Sequence, residues 1–228
     1  MTTLILPDLH LRHELADEIV ANVKPDAVVC VGDYFDDFYD TVRENKEMAE
    51  WVKDKLRRPE WTLLIGNHDF HYRWKILPVR SCGFECPKDE AINSVLSNVD
   101  WFGMRFYCWV GDWLVTHAGL SFRHKEVKKV KDFKKFMPEA ETEALISAAK
   151  GENSWFYGVG RARDGNHETG GITWCDFREE FTPVPGLKQV FGHTPLSEPL
   201  FKDNSVCIDT HTRHYAVHDG DSLKIFDA

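Results

Sequence analysis

The segment LILPDLH, residues 4–10, is a short apolar run that ends in an aspartate and a histidine. Four later segments repeat the pattern of an apolar run followed by residue types that bind metals or phosphate. They are VVCVGD (28–33), LLIGNHD (63–69), WLVTHAG (113–119) and VFGHT (190–194). Such runs are typical of buried strands, and open α/β folds bind ligands at the carboxyl ends of their strands. The five segments therefore predict one polar site at a sheet edge.

Helix and strand patterns alternate between the first three segments. Residues 12–23 carry apolar side chains at helical spacing, and Pro25 ends this helix before a strand at residues 27–31. A second helix is predicted at residues 41–56, followed by a third strand at residues 61–65. Each strand–helix–strand unit predicts a parallel pair with a right-handed crossover.

The second half of the chain carries shorter strand patterns. Two of them, at residues 105–110 and 113–116, are joined by a turn at Gly111 and Asp112. Three more predict a C-terminal meander, at residues 205–208, 214–218 and 222–226. With the N-terminal units, these strands predict an α/β fold of two mixed sheets packed together, with helices on the outside.

The composition is that of a folded protein. The 228 residues carry a formal charge of −9 and include 13% aromatic residues. This length fits one large domain, which we place at residues 1–228. A net negative charge disfavours binding to nucleic-acid phosphates, so we expect no nucleic-acid partner. No segment resembles a membrane span or a signal peptide, so we expect a cytoplasmic protein without a membrane partner.

The six cysteines have no framework spacing and predict reduced thiols. Cys82 and Cys86 are spaced like half of a zinc site. No second cysteine pair lies at a suitable distance, so we expect an ordinary loop there.

The segment between the fourth and fifth motifs, residues 120–189, carries no motif that identifies a ligand. Its lysines predict a basic helix face, for which a solvated surface is favoured over an anionic partner because the chain is acidic. They are Lys125, Lys128, Lys129, Lys131, Lys134 and Lys135. Trp155, Phe156 and Tyr157 predict core packing rather than a base-stacking platform, since no basic groove accompanies them. Glycines at 158–171 predict a loop beside the site.

The polar residues of the motifs form a ligand set for hard or borderline metals. Asp8 and His10 are separated by one residue, so both can turn toward one ion where the strand opens into a loop. Carboxylates, imidazoles and the Asn67 amide, without thiolates, suit manganese, iron or zinc. Asp33 can bridge two cations, and two divalent ions leave a positive surplus for a phosphate and a hydroxide. The sequence therefore predicts a dinuclear site for phosphate esters.

In order, these motifs resemble the calcineurin-like metallophosphoesterases. The resemblance runs from residue 4 to about residue 210 and rests on DLH, GD, GNHD, THAG and GHT. GDYFD and FGHTP are most similar to the phosphoprotein phosphatase branch, which includes small bacterial and phage Ser/Thr phosphatases and diadenosine tetraphosphate hydrolases. The resemblance implies a four-layer α/β/β/α sandwich, with residues 120–189 as an insertion that shapes the substrate pocket.

The resemblance also implies a role for each motif residue. One metal is held by Asp8, His10 and Asp33, and the other by Asp33, Asn67, His117 and His193. A bridging hydroxide is then expected to attack phosphorus in line, while His68 acts as the general acid and Asp36 orients it. Manganese is expected first, with iron or zinc as alternatives. Pro195 replaces a histidine found in many phosphodiesterase members, and this favours the phosphatase branch.

One departure concerns the substrate. The branch usually carries a phosphate-gripping arginine where this chain has Asp37. Arg178 is then the first candidate for the phosphate clamp, with Arg161 and Arg163 as alternatives.

Three functions follow. The first is a phosphomonoesterase of the Ser/Thr-phosphatase type, acting on a phosphoprotein or a small monoester. The second is a phosphodiesterase or dinucleoside polyphosphate hydrolase, which the missing arginine keeps open. The third is a catalytically silent scaffold, disfavoured because His68 and the predicted ligands are intact.

Overall fold

Ten strands form two five-stranded mixed sheets in the computed structural model, which describes residues 1–228. The strands are β1 (Thr3–Leu6), β2 (Ala27–Cys30), β3 (Trp61–Leu63), β4 (Tyr107–Val110), β5 (Trp113–Thr116), β6 (Lys188–Phe191), β7 (Leu200–Lys202), β8 (Ser205–Cys207), β9 (His214–His218) and β10 (Leu223–Asp227). The first sheet has the order β10-β9-β1-β2-β3, with β1, β2 and β3 parallel. The second has the order β4-β5-β6-β8-β7, with β5, β6 and β8 parallel. This architecture confirms the predicted fold class.

Six α-helices connect the strands, with two short 3₁₀ helices at Leu77–Val79 and Arg161–Arg163. The α-helices are α1 (His13–Val23), α2 (Val42–Lys55), α3 (Asn67–Arg73), α4 (Cys86–Val95), α5 (Asn98–Gly103) and α6 (Phe133–Ala149). The predicted α1 and α2 are confirmed, and Thr41 caps α2 by accepting a hydrogen bond from the Glu44 N–H at 3.2 Å. None of the helices combines the length and the apolar character needed to cross a bilayer.

Alternating side chains of the strands separate the layers of the fold. Ile5 of β1 lies between the two sheets with Val115 of β5, whereas Leu4 packs on the opposite face among residues of α1 and α2. On the second sheet, Leu114 turns away from the first sheet and joins the core that includes Met137 of α6. The order of layers is therefore helix, sheet, sheet, helix. This packing places the carboxyl ends of β1, β2, β3, β5 and β6 at a common edge.

The predicted C-terminal meander is wrong. β8 pairs with β6 and β7 in the second sheet, while β9 and β10 form a hairpin in the first. The chain crosses from one sheet to the other between Cys207 and His214. Strand periodicity indicates which face of a strand is buried but not which sheet the strand joins, and this is why the crossing was not predicted.

The predicted lysine-rich helix is also wrong in its extent. Only Lys134 and Lys135 lie in α6, because Asp132 caps the helix by accepting hydrogen bonds from their backbone N–H groups at 3.1 and 3.3 Å. The four earlier lysines lie in turns, and all six are exposed, as a solvated surface predicts. Phe156 and Tyr157 are fully buried, so the prediction that the aromatic trio packs in the core is confirmed.

All six cysteines are free thiols in the structure. Cys82 is exposed in a turn before α4, and Cys86 is exposed as the first residue of α4. Neither of the two belongs to a group of side chains that could hold a metal ion.

Candidate metal centre and active site

The predicted ligands follow five different strands and meet at their carboxyl ends. Asp8 and His10 follow β1, Asp33 follows β2, Asn67 opens α3 after β3, His117 follows β5, and His193 follows β6. They form two groups that could hold metal ions and that share Asp33. The His10 group consists of Asp8, His10 and Asp33, and the His117 group consists of Asp33, His117 and His193, with the Asn67 amide in contact.

The His117 group is tightly packed. The Asn67 Oδ1 atom lies 3.0 Å from His117 Nε2 and 2.8 Å from His193 Nδ1, and the two ring nitrogens are 3.2 Å apart. Asp33 Oδ2 lies 3.4 Å from His117 Nε2. Neighbouring ligands of an octahedral ion with bonds of ~2.1 Å are separated by ~3.0 Å. The spacing of these four polar atoms therefore fits the coordination shell of one divalent ion.

The His10 group is more open. Asp33 Oδ2 lies 3.7 Å from His10 Nε2, and the donor atoms of Asp8, His10 and Asp33 all lie within 4.8 Å of one another. Asp8 and Asp33 are almost completely buried, whereas His10 is partly exposed. This group therefore has three protein donors and faces the surface.

Backbone carbonyls fix the tautomers of two candidate ligands. His117 Nδ1 lies 3.1 Å from the Val31 carbonyl oxygen, and His10 Nδ1 lies 2.5 Å from the Asp36 carbonyl oxygen. A carbonyl only accepts, so each neutral ring carries its proton on Nδ1 and turns the Nε2 lone pair toward Asp33. Metal-binding histidines commonly use this arrangement. The two rings are therefore prepared to coordinate through Nε2.

Two motif glycines leave room for the carboxylates. A Cβ atom added to Gly66 would lie 2.1 Å from Asp33 Oδ1, and one added to Gly192 would lie 1.8 Å from Asp8 Oδ1. The His193 N–H, which follows Gly192, donates a hydrogen bond to Asp8 Oδ2 at 2.9 Å. Any larger residue at either glycine would displace a candidate ligand, which explains the glycines of GNHD and GHT.

Three candidate ligands adopt left-handed backbone conformations. The φ angles are 39° at His10, 51° at Asp33 and 70° at His193. Residues with a Cβ atom rarely adopt this conformation, and such strain concentrates at functional sites. Hydrogen bonds hold the strained turns in place, for example from the Leu9 and His10 N–H groups to the Asp33 carbonyl oxygen at 3.1 and 2.8 Å.

Asp69 organises the centre, although the sequence analysis gave it no role. Its carboxylate accepts hydrogen bonds from the N–H groups of Asp33, Tyr34 and Gly66 at 2.7, 2.9 and 2.8 Å. Burial raises the pKa of Asp69 to about 7, although these N–H groups act in the opposite direction. An acidic residue three positions after the helix cap is a recognisable capping signal, and the aspartate of GNHD carries it.

Burial sets the protonation of the ligand groups in the absence of cations. It raises the pKa of Asp8 and Asp33 well above the usual range, with Asp209 adding to the effect on both and Asp69 to that on Asp33. Burial also lowers the pKa of His117 well below its usual value, which keeps this imidazole neutral. A bound divalent cation would compensate the negative charge of the two carboxylates and so favour their ionised form. The neutral His117 imidazole can coordinate the same ion, so the donor set fits divalent cations.

His68 lies beside the His10 group and contacts Asp36. The His68 Nδ1 atom lies 2.9 Å from Asp36 Oδ2, and the His68 and His10 rings meet edge to face with centroids 5.2 Å apart. The His68 backbone N–H donates to Asp33 Oδ1 at 2.8 Å. The pair therefore has the arrangement of a histidine acid and the carboxylate that orients it.

The family model of calcineurin-like phosphoesterases matches residues 1–197. The chain belongs to this family. Membership confirms the predicted resemblance and the prediction of a hydrolase that acts on phosphate esters, and it implies divalent metals. No curated protein matches the chain by sequence.

Solved phosphatase structures share the fold of this phosphoesterase. A cold-active protein-tyrosine phosphatase from a psychrophilic Shewanella species is 16% identical, with a TM-score of 0.62 over 98% of this chain and 77% of that one. A protein serine/threonine phosphatase from Saccharomyces cerevisiae is 14% identical, with a TM-score of 0.52 over 100% and 80%. A candidate diadenosine tetraphosphatase is 15% identical, with a TM-score of 0.50 over 100% and 93%. At these identities the likeness shows the fold alone.

The three candidate arginines of the phosphoesterase have different environments. Arg178 is exposed and donates to the Pro195 carbonyl oxygen at 2.8 Å, and Arg161 is also exposed. Arg163 is partly buried, and its Nη2 atom lies 2.9 Å from Asp176 Oδ2. Its positive charge adds to burial and to other neighbours in lowering the pKa of His117. Arg163 is therefore the candidate whose charge acts on the His117 ring, whereas Arg178 contacts a backbone carbonyl at the surface.

Asp37, which replaces the arginine usual in the phosphatase branch, forms an ion pair with Arg12. Arg12 Nη2 lies 3.0 Å from Asp37 Oδ2, and Arg12 Nη1 donates to the Leu9 carbonyl oxygen at 3.3 Å. The two side chains are each about a third exposed. A cation therefore does lie next to this position, but a different segment of the chain supplies it.

Proposed function

We propose that this phosphoesterase is a metal-dependent phosphomonoesterase of the Ser/Thr-phosphatase type. The observation that carries the proposal is the pair of ligand groups sharing Asp33, with His68 and Asp36 beside them. Two divalent ions would occupy the groups. Manganese is the first candidate, and iron or zinc the alternatives, because the donors are carboxylate, imidazole and amide without thiolate.

The residues of the site have separate roles in this proposal. Bound divalent ions supply charge neutralisation and a water of lowered pKa. Arg163, held by Asp176, contributes a guanidinium that can bind phosphate oxygens in a fork. His68 in its doubly protonated form gives the Nε2 proton to the leaving alkoxide and becomes neutral, keeping the Nδ1 proton that it donates to Asp36.

We further propose that residues 1–228 form one domain, in which residues 120–189 shape the substrate pocket. Arg163 comes from this segment, and the buried residues Phe156 and Ile172 share a core cluster with residues of the first sheet. The cytoplasmic location remains a prediction from sequence.

A second candidate function is hydrolysis of a phosphodiester or a dinucleoside polyphosphate. The ion pair between Arg12 and Asp37 favours it, because Asp37 partly neutralises the cation that lies where the branch usually has its phosphate-binding arginine. A phosphodiester carries less charge than a terminal monoester and would tolerate this carboxylate better. A silent scaffold is not supported, since the ligand groups and the His68 pair are assembled.

The test compares two esters after controlled metal loading. The protein is stripped with a chelator, reloaded with manganese, and assayed for kcat/KM on nitrophenyl phosphate and bis-nitrophenyl phosphate. A large preference for the monoester is expected, and a preference for the diester would replace the proposal with the second candidate. Asp33→Asn protein, purified in the same way, controls for contaminating phosphatases. No hydrolysis of either ester in any metal would contradict both candidates.

A further inference from the structure

The Asp36 carboxylate receives polar contacts on both oxygens. His68 Nδ1 and His71 Nε2 lie 2.9 and 3.2 Å from Oδ2. The Tyr72 hydroxyl donates to Oδ1 at 2.6 Å, and Lys88 Nζ donates to the same oxygen at 3.3 Å. Asp36 is 2% exposed, so these contacts replace solvent almost completely. His68 is thus the outermost member of a larger buried network.

Lys88 is an unusual member of this network because it is buried. Lysines are almost never fully buried unless they are paired, and Lys88 is 3% exposed. Its ammonium group donates to Asp40 Oδ1 at 2.8 Å and to the Gly83 carbonyl oxygen at 3.3 Å, in addition to Asp36. One buried cation from α4 therefore balances two carboxylates that flank the turn after β2.

His71 does not supply a second positive charge. The Ser81 N–H donates to His71 Nδ1 at 3.2 Å, so a neutral His71 carries its proton on Nε2, which faces Asp36. Burial lowers the pKa of His71, although Asp36 acts in the opposite direction. Lys88 is therefore the permanently charged group that contacts the Asp36 carboxylate.

We propose that Lys88 is a positioning residue for the general acid His68. Its ammonium fixes Oδ1 of Asp36, so that Oδ2 stays aligned with His68 Nδ1 and the Nε2 proton of His68 points toward the leaving group. This inference rests on the proposed role of His68. Without the ammonium, Asp36 and Asp40 form an uncompensated buried pair, and Asp36 turns away from its partner.

The expected effect depends on the leaving group. An alkoxide needs a proton as it departs, whereas nitrophenolate scarcely does. Lys88→Met is expected to lower kcat on an alkyl phosphate by about tenfold or more, and on nitrophenyl phosphate by less than about threefold, with KM unchanged on both. His68→Asn sets the upper limit of this difference. Lys88→Arg, which keeps a cation, is expected to recover part of the activity on the alkyl ester.

A matched control separates an effect on the position of Asp36 and His68 from the loss of any lysine contact to α4. Lys75 Nζ pairs with Asp89 of α4 at 2.6 Å and is exposed, so Lys75→Met removes a lysine contact to the same helix without touching Asp36. This variant is expected to keep wild-type activity on both esters. Equal losses on the two esters in Lys88→Met, or no loss on either, would overturn the proposal.

Two further measurements keep the inference testable. Nitrogen-15 NMR of the metal-free protein, recorded at a pH at which the His68 ring is neutral, is expected to show its single proton on Nδ1 in the wild type and a mixture of tautomers in Lys88→Met. An unchanged spectrum would overturn the proposal. If Lys88→Met does not fold, Lys88→Met with Asp40→Asn removes one carboxylate together with the cation and is expected to show the same dependence on leaving group. A wild-type protein that hydrolyses neither ester contradicts the proposed function, and the NMR comparison still tests the link between Lys88 and His68.

Discussion

The candidate metal centre and the arginine proposed to bind phosphate are built in opposite ways. Each candidate ligand lies shortly after the end of a strand or opens a helix, and most are buried and contacted by backbone hydrogen bonds. Arg163 instead lies in a 3₁₀ helix within the long segment between β5 and β6, and its position depends on Asp176. Strand ends supply the candidate ligands, whereas the inserted segment supplies the arginine that we propose to bind the substrate.

Glu180 organises the inserted segment from within. This buried carboxylate accepts hydrogen bonds from the N–H groups of Ala162 and Gly170 at 2.9 and 2.8 Å. A Cβ atom on Gly160 would lie 2.3 Å from it. The loop that carries Arg163 is therefore folded around the Glu180 side chain. We expect substitutions in this loop to affect substrate binding more than metal binding.

The largest expected effect tests the shared ligand of the centre. Asp33→Asn should abolish turnover and lower the metal content toward one or zero ions per chain, because Asp33 belongs to both ligand groups. Metal analysis after gel filtration, together with a phosphatase assay, measures both. Asp219→Asn, in an exposed turn, is the control and should retain two ions. Two tightly bound ions in the Asp33 variant would show that the groups do not share this residue.

A smaller effect is expected from substitution of Arg163 in the inserted segment. Arg163→Gln should raise KM for a phosphate monoester and weaken inhibition by inorganic phosphate by about tenfold, because one charge-assisted hydrogen bond contributes ~1.5 kcal/mol or more. Metal content should not change. Arg178→Gln is the matched control, since Arg178 is exposed and donates to a backbone carbonyl. A larger effect in Arg178→Gln than in Arg163→Gln would favour Arg178 as the group that binds phosphate.

The same contrast explains what could be predicted from the sequence. The candidate ligands were identified because each follows an apolar run within a short motif, and strand ends in such folds meet at one edge. The partly buried environment of Arg163 could not be predicted, because it depends on Asp176 and on a loop without periodicity. The network behind Asp36 was missed for a similar reason: Lys88 and Asp36 are 52 residues apart, and no local pattern marks a buried lysine.

Long-range pairing accounts for the errors in the fold as well. The strand patterns of β8, β9 and β10 were recognised, but the chain changes sheets after Cys207, and local periodicity carries no information about sheet membership. The lysines before Asp132 were placed in a helix on composition alone. The capping aspartate within the same segment was the signal that α6 begins later.

The smallest expected effect is the release of protons from the candidate ligands when metal binds. In the metal-free protein, burial raises the pKa of Asp8 and Asp33, so these carboxyl groups hold protons at a pH where they would be ionised in an unfolded chain. The pKa of His117 and His193 is lowered by burial, so these rings are already neutral and have no proton to lose. Proton release on metal binding should therefore come from the carboxyl groups.

Metal affinity should consequently increase with pH. One proton displaced per ion corresponds to about tenfold in affinity per pH unit, or ~1.4 kcal/mol, over the range in which the carboxyl groups titrate. Calorimetric titration with manganese in two buffers of different ionisation enthalpy measures the number of protons released. The metal-free protein should also lose stability as the pH rises above the usual aspartate value of 3.8, because the folded state binds more protons than the unfolded state, and added metal should remove this loss. An affinity independent of pH would mean that both carboxylates are ionised before the metal arrives, and that burial does not control their charge.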